Sequence, residues 1–301
     1  MKKVLNILVI GLVALGLSSC GGNNEGSNTT SVDGGSKELT IVHFDQTILG
    51  DSQKDLGVSI GIKKGNAELQ TALNSALASL STETRNTLMI EATDRSSGDT
   101  SSTASTPYVV PTDSSLPVLR VGLECDYAPF NWTETKANDY TYPIKGSSDF
   151  ADGYDIQVAR YLAYTMNYRL EIVKLDWDAL IPALQTGTIN AVIAGMTDTE
   201  DRRQSIDFSD EYYVSELVLI VKKDSKYASA TSLNDFNGAK IVSQISTVTD
   251  DVIEDWVSAY GVRHLNALDT FATCAMAVQN NLADAMTAEL PVANAIVKGS
   301  K

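Results

Sequence analysis

The stretch that most constrains the fold runs from Gly153 to Tyr213, GYDIQVARYLAYTMNYRLEIVKLDWDALIPALQTGTINAVIAGMTDTEDRRQSIDFSDEYY. Ile156, Ala159, Leu162, Ala163 and Met166 recur at three- and four-residue intervals, which puts them on one face of a helix. Leu170 to Leu175 then reads as a strand. A second helix is expected from Asp178 through Gln185, closed by Gly187, because glycine enters the left-handed conformation that helix ends favour. The run INAVIAG has the continuous apolar character of a buried parallel strand. Helices and strands in such alternation imply an α/β fold.

Gly195-Met196-Thr197 leaves the carboxyl end of that last strand. Thr199 is expected to be the N-cap of a helix carrying Glu200, Asp201 and Arg202 in its first turn. Ligands of open α/β sheets settle outside such strand ends. Backbone N–H groups, hydroxyls and a guanidinium on one turn make a receptor for a planar anion, and the arginine fork suits a carboxylate better than lysine would. On the residues alone, Arg202 serves equally well as a surface arginine paired with Asp207 or Asp210.

GYDIQVARYLA, LDWDALIPALQTG, INAVIAGMTDTEDR and IDFSDEYY, taken in order, resemble the extracellular solute-binding proteins of amino-acid ABC transporters, the polar amino-acid family (family 3). The resemblance implies a type II periplasmic-binding-protein fold, two α/β lobes joined by two hinge crossovers. It implies a free L-amino acid as ligand and a membrane permease as partner. By the same resemblance Arg202 grips the α-carboxylate, with Thr197 and the Gly195 carbonyl completing the clamp on the α-amino acid. Thr247 and Val248, at another strand-to-helix junction, hold that carboxylate from the second lobe. Glu289 stands where the family commonly has an aspartate for the α-amino group, so the charge is kept but set one methylene further out. Tyr127 and Trp177 are expected to sandwich the ligand side chain, and Glu124 to meet its far end. Without the resemblance Tyr127 and Trp177 read equally as core aromatics, and Glu124 and Glu289 as surface carboxylates.

Lys and Arg number 23 against 38 Asp and Glu, a net charge of −15. That argues against nucleic acid and anionic membrane surfaces as partners. With Glu124 present, a polar or basic amino acid is expected rather than glutamate or aspartate. The opening MKK, the apolar run from Val4 to Leu17 and the ending LSSC read as a lipoprotein signal, residues 1–20, with Cys20 as the lipidated residue. A signal-anchor helix is the other reading, although the run is short for a membrane span. The protein is thus expected as a monomer anchored through Cys20 on the outer face of the bacterial cell membrane. Cys125 and Cys274 are expected as buried free thiols in different lobes. His43 and His264 have no metal-ligand spacing, so no metal and no cofactor is expected.

Residues 21–36 read as a flexible tether. The segment GIKKGNAEL and its helix, which close the chain in the resembled family, here stand near the front. The order therefore looks circularly permuted, with 37–50 joining residues 216–301 as lobe 2 and 57–95 joining 116–215 as lobe 1. The linker 96–115 would connect the usual chain ends, spanning roughly 25 Å as a random coil. Gly-Ser-Lys occurs at both 35–37 and 299–301. A truncated member with a stray fragment, or two chains exchanging segments, would give the same order. The resembled fold also occurs in cyclohexadienyl dehydratases, which leaves an enzyme with Glu124 or Glu289 as general acid as the alternative. A non-binding descendant is a further one.

Overall fold

A computed structural model of the chain describes residues 36–49, 57–99 and 105–300. The signal at 1–20, with Cys20, and all of the tether up to residue 35 lie outside the described residues.

In chain order the elements begin with β1 (Leu39–Val42), β2 (Val58–Lys63), α1 (Ala67–Ser79) and α2 (Thr82–Ser96). Asn66 and Ser81 open the two helices, each accepting a first-turn N–H on its side-chain oxygen, which satisfies a donor the helix itself cannot. Leu69, Leu73, Ala76 and Leu77 form the buried stripe of α1 that their spacing predicts. α2 runs on to Ser96. Arg95 in its last turn makes a bidentate pair with Asp152 at 3.0 and 2.9 Å, a tertiary tie that extends the helix.

β3 (Val118–Leu123) leads into a small antiparallel sheet of β4 (Asp126–Tyr127), β5 (Asn131–Glu134), β6 (Tyr142–Pro143) and β7 (Phe150–Asp152). The segment singled out in the sequence then supplies α3 (Tyr154–Met166), β8 (Arg169–Lys174), α4 (Leu180–Thr186), β9 (Ala191–Val192), α5 (Glu200–Ser205) and β10 (Ile206–Tyr213). Gly187 ends α4 in the left-handed conformation at φ 80°. The remaining elements are β11 (Leu217–Lys222), β12 (Lys240–Val242), α6 (Val248–Tyr260), β13 (Arg263–His264), α7 (Phe271–Gln279), β14 (Ala285–Glu289) and α8 (Leu290–Gly299).

The strands assemble two five-stranded sheets, in the orders β10-β2-β9-β3-β8 and β1-β11-β14-β12-β13. In the first, β9, β3 and β8 are parallel and β2 is antiparallel to both its neighbours. In the second, β12 is parallel to β13 and β14, whereas β11 is antiparallel to β14 and β1. The chain passes from one sheet to the other between β1 and β2 and again between β10 and β11. Two α/β lobes with two crossovers is the expected type II periplasmic-binding-protein architecture.

Two apolar cores are built on the sheets, and the first continues into the second lobe through Ile220, Cys274, Met286 and Val292. Ile60, Ile62, Leu119, Val121 and Ile172 are fully or almost fully buried in the first. Leu219, Ile241, Ile253 and Trp256 fill the second, together with Val42, Phe44 and Leu49 from before β2. Residues 105–115, within the stretch read as a plain linker, are fastened to α3. Tyr108 packs edge-on against Tyr161 at 4.9 Å, and Arg160 Nε donates to the Tyr108 carbonyl at 3.2 Å. Cys125 and Cys274 are buried free thiols, and burial pushes both up to about 12. Among the described residues no helix is long and apolar enough to cross a membrane.

Candidate ligand-binding cleft

Residues at or just beyond the carboxyl ends of β3, β8, β9, β12 and β14 line one cleft between the lobes, narrowed here to a free volume of about 10 Å³, room for no more than a single water. It contains every site residue anticipated from the sequence: Glu124, Tyr127, Trp177, Gly195, Thr197, Arg202, Thr247, Val248 and Glu289. Gln244 and Phe271 complete the lining. These residues come from six separate stretches of chain, most of them strand ends gathered at one edge because parallel strands end together.

On the first lobe, Thr199 caps α5 by accepting the Arg202 N–H at 3.3 Å. This short helix turns the Arg202 side chain back along the loop, where Nη1 donates to the Thr197 carbonyl at 2.7 Å. Asp207 is engaged elsewhere, by Lys64 at 2.8 Å and the Gly65 N–H at 2.7 Å, so the surface pairing of Arg202 with Asp207 is not made. The guanidinium lies over the Trp177 ring at 5.5 Å. Burial lowers the pKa of Arg202, opposed by the nearby carboxylates of Asp251, Glu289 and Asp198; an arginine stays charged nonetheless. Gly195 is required here. Its φ is 59°, and a Cβ would come within 2.7 Å of Tyr127 Cε1.

On the second lobe Ser246 holds a left-handed backbone at φ 60°. Its carbonyl accepts both Arg202 Nη2 and Trp177 Nε1 at 3.1 Å. The Thr247 hydroxyl is spent on the junction, donating to the Gln244 carbonyl at 2.7 Å and accepting the Asp250 N–H at 3.2 Å. What Thr247 and Val248 can offer an anion is therefore the backbone N–H groups at the start of α6.

Glu289, 4% exposed, ends β14 and stands at the N-cap of α8. It accepts the Tyr127 hydroxyl, and burial raises its pKa against the opposing pull of Arg202. Glu124 accepts Gln244 Nε2 at 3.0 Å. Tyr127 stacks on Phe130 at 5.1 Å and on Phe271 at 4.9 Å, so no open sandwich between Tyr127 and Trp177 exists in this arrangement. Contacts of Tyr127 with Glu289, Glu124 with Gln244, and both Trp177 and Arg202 with Ser246 span the lobes. The cleft is closed, with the Ser246 carbonyl seated on Arg202 Nη2.

Gln244 lies two residues past the end of β12 (Lys240–Val242), and the strand-end rule that located Thr197 could have found it. Phe271 had no local signal, because α7 brings it to the cleft from a distant stretch of chain.

Burial pushes the Glu124 carboxyl from 4.5 to about 7, with the Gln244 hydrogen bond opposing. A raised folded-state pKa means that the folded protein holds this proton more tightly than the unfolded chain. The resulting stabilisation is complete below about pH 4.5 and is lost as pH rises through about 7. Glu124→Gln removes it. In thermal melts across pH, the unliganded protein is expected to lose up to about 3 kcal/mol relative to Glu124→Gln over that window. Parallel profiles for the two proteins would contradict this.

The family model for bacterial extracellular solute-binding proteins, family 3, matches residues 119–290, more than half of the chain. This chain belongs to that family. Among relatives of this family 3 protein, the arginine-binding extracellular protein ArtP of Bacillus subtilis is 30% identical over 145 residues, 48% of this chain and 51% of that protein. The lysine/arginine/ornithine-binding periplasmic protein of Escherichia coli is 34% identical over 125 residues, 41% and 42% of the two chains. This family 3 protein spans about half the length of the curated relatives it matches. Two solved structures share its fold. An ancestral arginine-binding protein bound to arginine has a TM-score of 0.51 and 32% identity, over 60% of this chain and 74% of that one. An ancestral amino acid-binding protein described as a precursor of cyclohexadienyl dehydratase has a TM-score of 0.50 and 30% identity, over 58% and 71%.

Proposed function

We propose that this family 3 protein is the extracellular solute-binding component of an amino-acid ABC transporter. It captures a polar or basic L-amino acid between its lobes and delivers it to a membrane permease, without catalysing a reaction. The observation that carries this reading is the pairing, in one interlobe cleft, of a guanidinium on a capped helix with a buried carboxylate on the facing lobe. Arg202, Thr197 and the first-turn N–H groups at Thr247 and Val248 take the α-carboxylate. Glu289 and the Gly195 carbonyl take the α-amino group. Tyr127, Trp177 and Glu124 receive the side chain. Glu124 on that wall favours a neutral polar or cationic group, in line with the arginine and lysine/arginine/ornithine in the names of relatives. Ligand bridging both lobes drives closure by hinge motion.

The same proposal includes the circularly permuted order and the lobe boundaries 37–50 with 216–301, and 57–95 with 116–215. In its support, β2 inserts between β10 and β9. The Leu39 N–H donates to Ser300 Oγ at 3.2 Å, and Gln279 Nε2 to the Lys37 carbonyl at 3.3 Å. The two stretches that permutation would have separated thus lie side by side, as the termini of domains often do. A monomer held at the outer face of the cell membrane by lipidated Cys20 completes the reading.

The dehydratase alternative rests on Glu124, which burial keeps protonated near neutrality, and on the solved precursor protein above. Turnover of prephenate or arogenate would favour it; none is expected. A thermal-shift panel of L-amino acids on the chain from residue 21 tests the binding reading. A ligand at about a hundred times its dissociation constant adds roughly 2.7 kcal/mol, a rise of about 5–10 °C for a protein of this size. A cooperative melt that no amino acid moves would contradict it.

A further inference from the structure

Asp155, in the first turn of α3, has no place in the ligand contacts above, yet its carboxylate is completely buried. Both its hydrogen-bond partners are neutral. Tyr212 Oη donates to Oδ1 at 2.7 Å, and Asn131 Nδ2 donates to Oδ2 at 2.8 Å. Each partner holds a piece of the cleft wall. The Gly195 N–H donates to Tyr212 Oη at 2.9 Å, and the Cys125 N–H donates to Asn131 Oδ1 at 2.7 Å.

Both backbone positions so held are left-handed, φ 59° at Gly195 and 55° at Cys125. Such a conformation in a residue other than glycine persists only where its surroundings impose it. Cys125 directly follows Glu124, and Gly195 sets the carbonyl assigned to the ligand amine. Two strings of hydrogen bonds therefore run from the cleft wall into the lobe, every donor pointing the same way, and converge on one side chain. Only a group that accepts on both oxygens satisfies both strings at once. The N-terminus of α3 supplies the positive potential that makes a carboxylate tolerable there without a cation.

We infer that Asp155 is a positioning residue for the ligand cleft: through Tyr212 and Asn131 it anchors the left-handed backbone at Gly195 and Cys125, and so aims the Gly195 carbonyl and Glu124 at the ligand. The ligand part of this inference rests on the binding function proposed above; the anchoring part does not.

Asp155→Asn puts an amide where both partners donate. Whichever way it is turned, one string loses its acceptor: either the Tyr212 hydroxyl or the Asn131 amide is left facing an N–H. Tyr212→Phe cuts the Gly195 string alone. Burial pushes the Asp155 carboxyl up to about 7, so the comparison belongs at pH 8, where it is charged. In Tyr212→Phe, amide hydrogen exchange by NMR is expected to be faster at Gly195 by about tenfold, the equivalent of one net hydrogen bond, and unchanged at Cys125. In Asp155→Asn it is expected to be faster by a similar factor at one of the two amides, the one whose string faces the new amide nitrogen. The dissociation constant of the amino acid identified in the panel is expected to rise about tenfold in each variant, and the double variant to be no weaker than Asp155→Asn where exchange shows that Asp155→Asn has already released Gly195, because both then act on one string. A residue serving the fold alone would lower the melting temperature without this pattern. Folded variants with unchanged exchange at both amides and unchanged affinity overturn the inference. If Asp155→Asn fails to fold, Tyr212→Phe decides the Gly195 string by itself. If the parent protein binds no amino acid, the proposed function falls, and amide exchange alone upholds or overturns the anchor.

Discussion

Arg202→Ala is expected to abolish useful amino-acid binding, with calorimetry showing a dissociation constant raised about a hundredfold or more. The side chain is half-buried and fixed before ligand arrives, by the Thr197 carbonyl at 2.7 Å and by its place over Trp177. Truncation removes the charge-assisted fork and leaves a ligand carboxylate buried beside Glu289 with no cation. Losing one partner of such a pair costs about 2–5 kcal/mol, much of it the unpaired charge that remains. Arg202→Lys is expected to recover only part of the loss, because an ammonium cannot make parallel bonds to both carboxylate oxygens. An Arg202→Ala protein of unchanged affinity would remove the anchor from the proposed site.

The largest effect on stability is expected at Trp256. This ring, 2% exposed, fills the second-lobe core and meets Phe44 edge-on at 5.4 Å. Trp256→Ala is expected to cost about 3–5 kcal/mol through lost burial and the cavity left behind. The thermal midpoint should fall by on the order of 10 °C. Well below that midpoint ligand affinity should be nearly unchanged, because the ring lies in the core and not in the cleft lining. A double-mutant cycle with Phe44→Ala should return a coupling of about 0.5–1.5 kcal/mol, the range for aromatic pairs. Strict additivity would show that the segment before β2 does not pack on this lobe in solution.

Local physics made much of this protein legible from its sequence. Three- and four-residue spacing located α1 and α3, Gly187 marked the end of α4, and Thr199 marked the start of α5. The strand-end rule pointed to Gly195, Thr197 and Arg202, and the resemblance extended the list to residues far apart in the chain. What escaped is tertiary in origin. α2 gains its last turn from the Arg95–Asp152 pair. INAVIAG keeps only Ala191–Val192 as ladder because the backbone turns out at Gly195. Phe271 enters the cleft by the packing of α7, and the left-handed Ser246, whose carbonyl occupies the Arg202 fork, follows no composition rule. Residues 105–115 read as a polar tether, yet Tyr108 and Val110 have a surface to bury against. The convergence of Tyr212 and Asn131 on Asp155 joins three stretches that no local pattern relates.

In the proposed function the cleft recognises both ends of an α-amino acid, its carboxylate through Arg202 and its amine through Glu289. The most direct test is a calorimetric titration of the parent protein with its best L-amino acid, with the α-carboxamide of that compound, and with the analogue lacking the α-amine. The amino acid is predicted to bind, and each analogue to bind at least about a hundredfold more weakly, since each leaves one buried charge unpaired. Equal affinity for all three, or heat from none of the L-amino acids, would contradict the account.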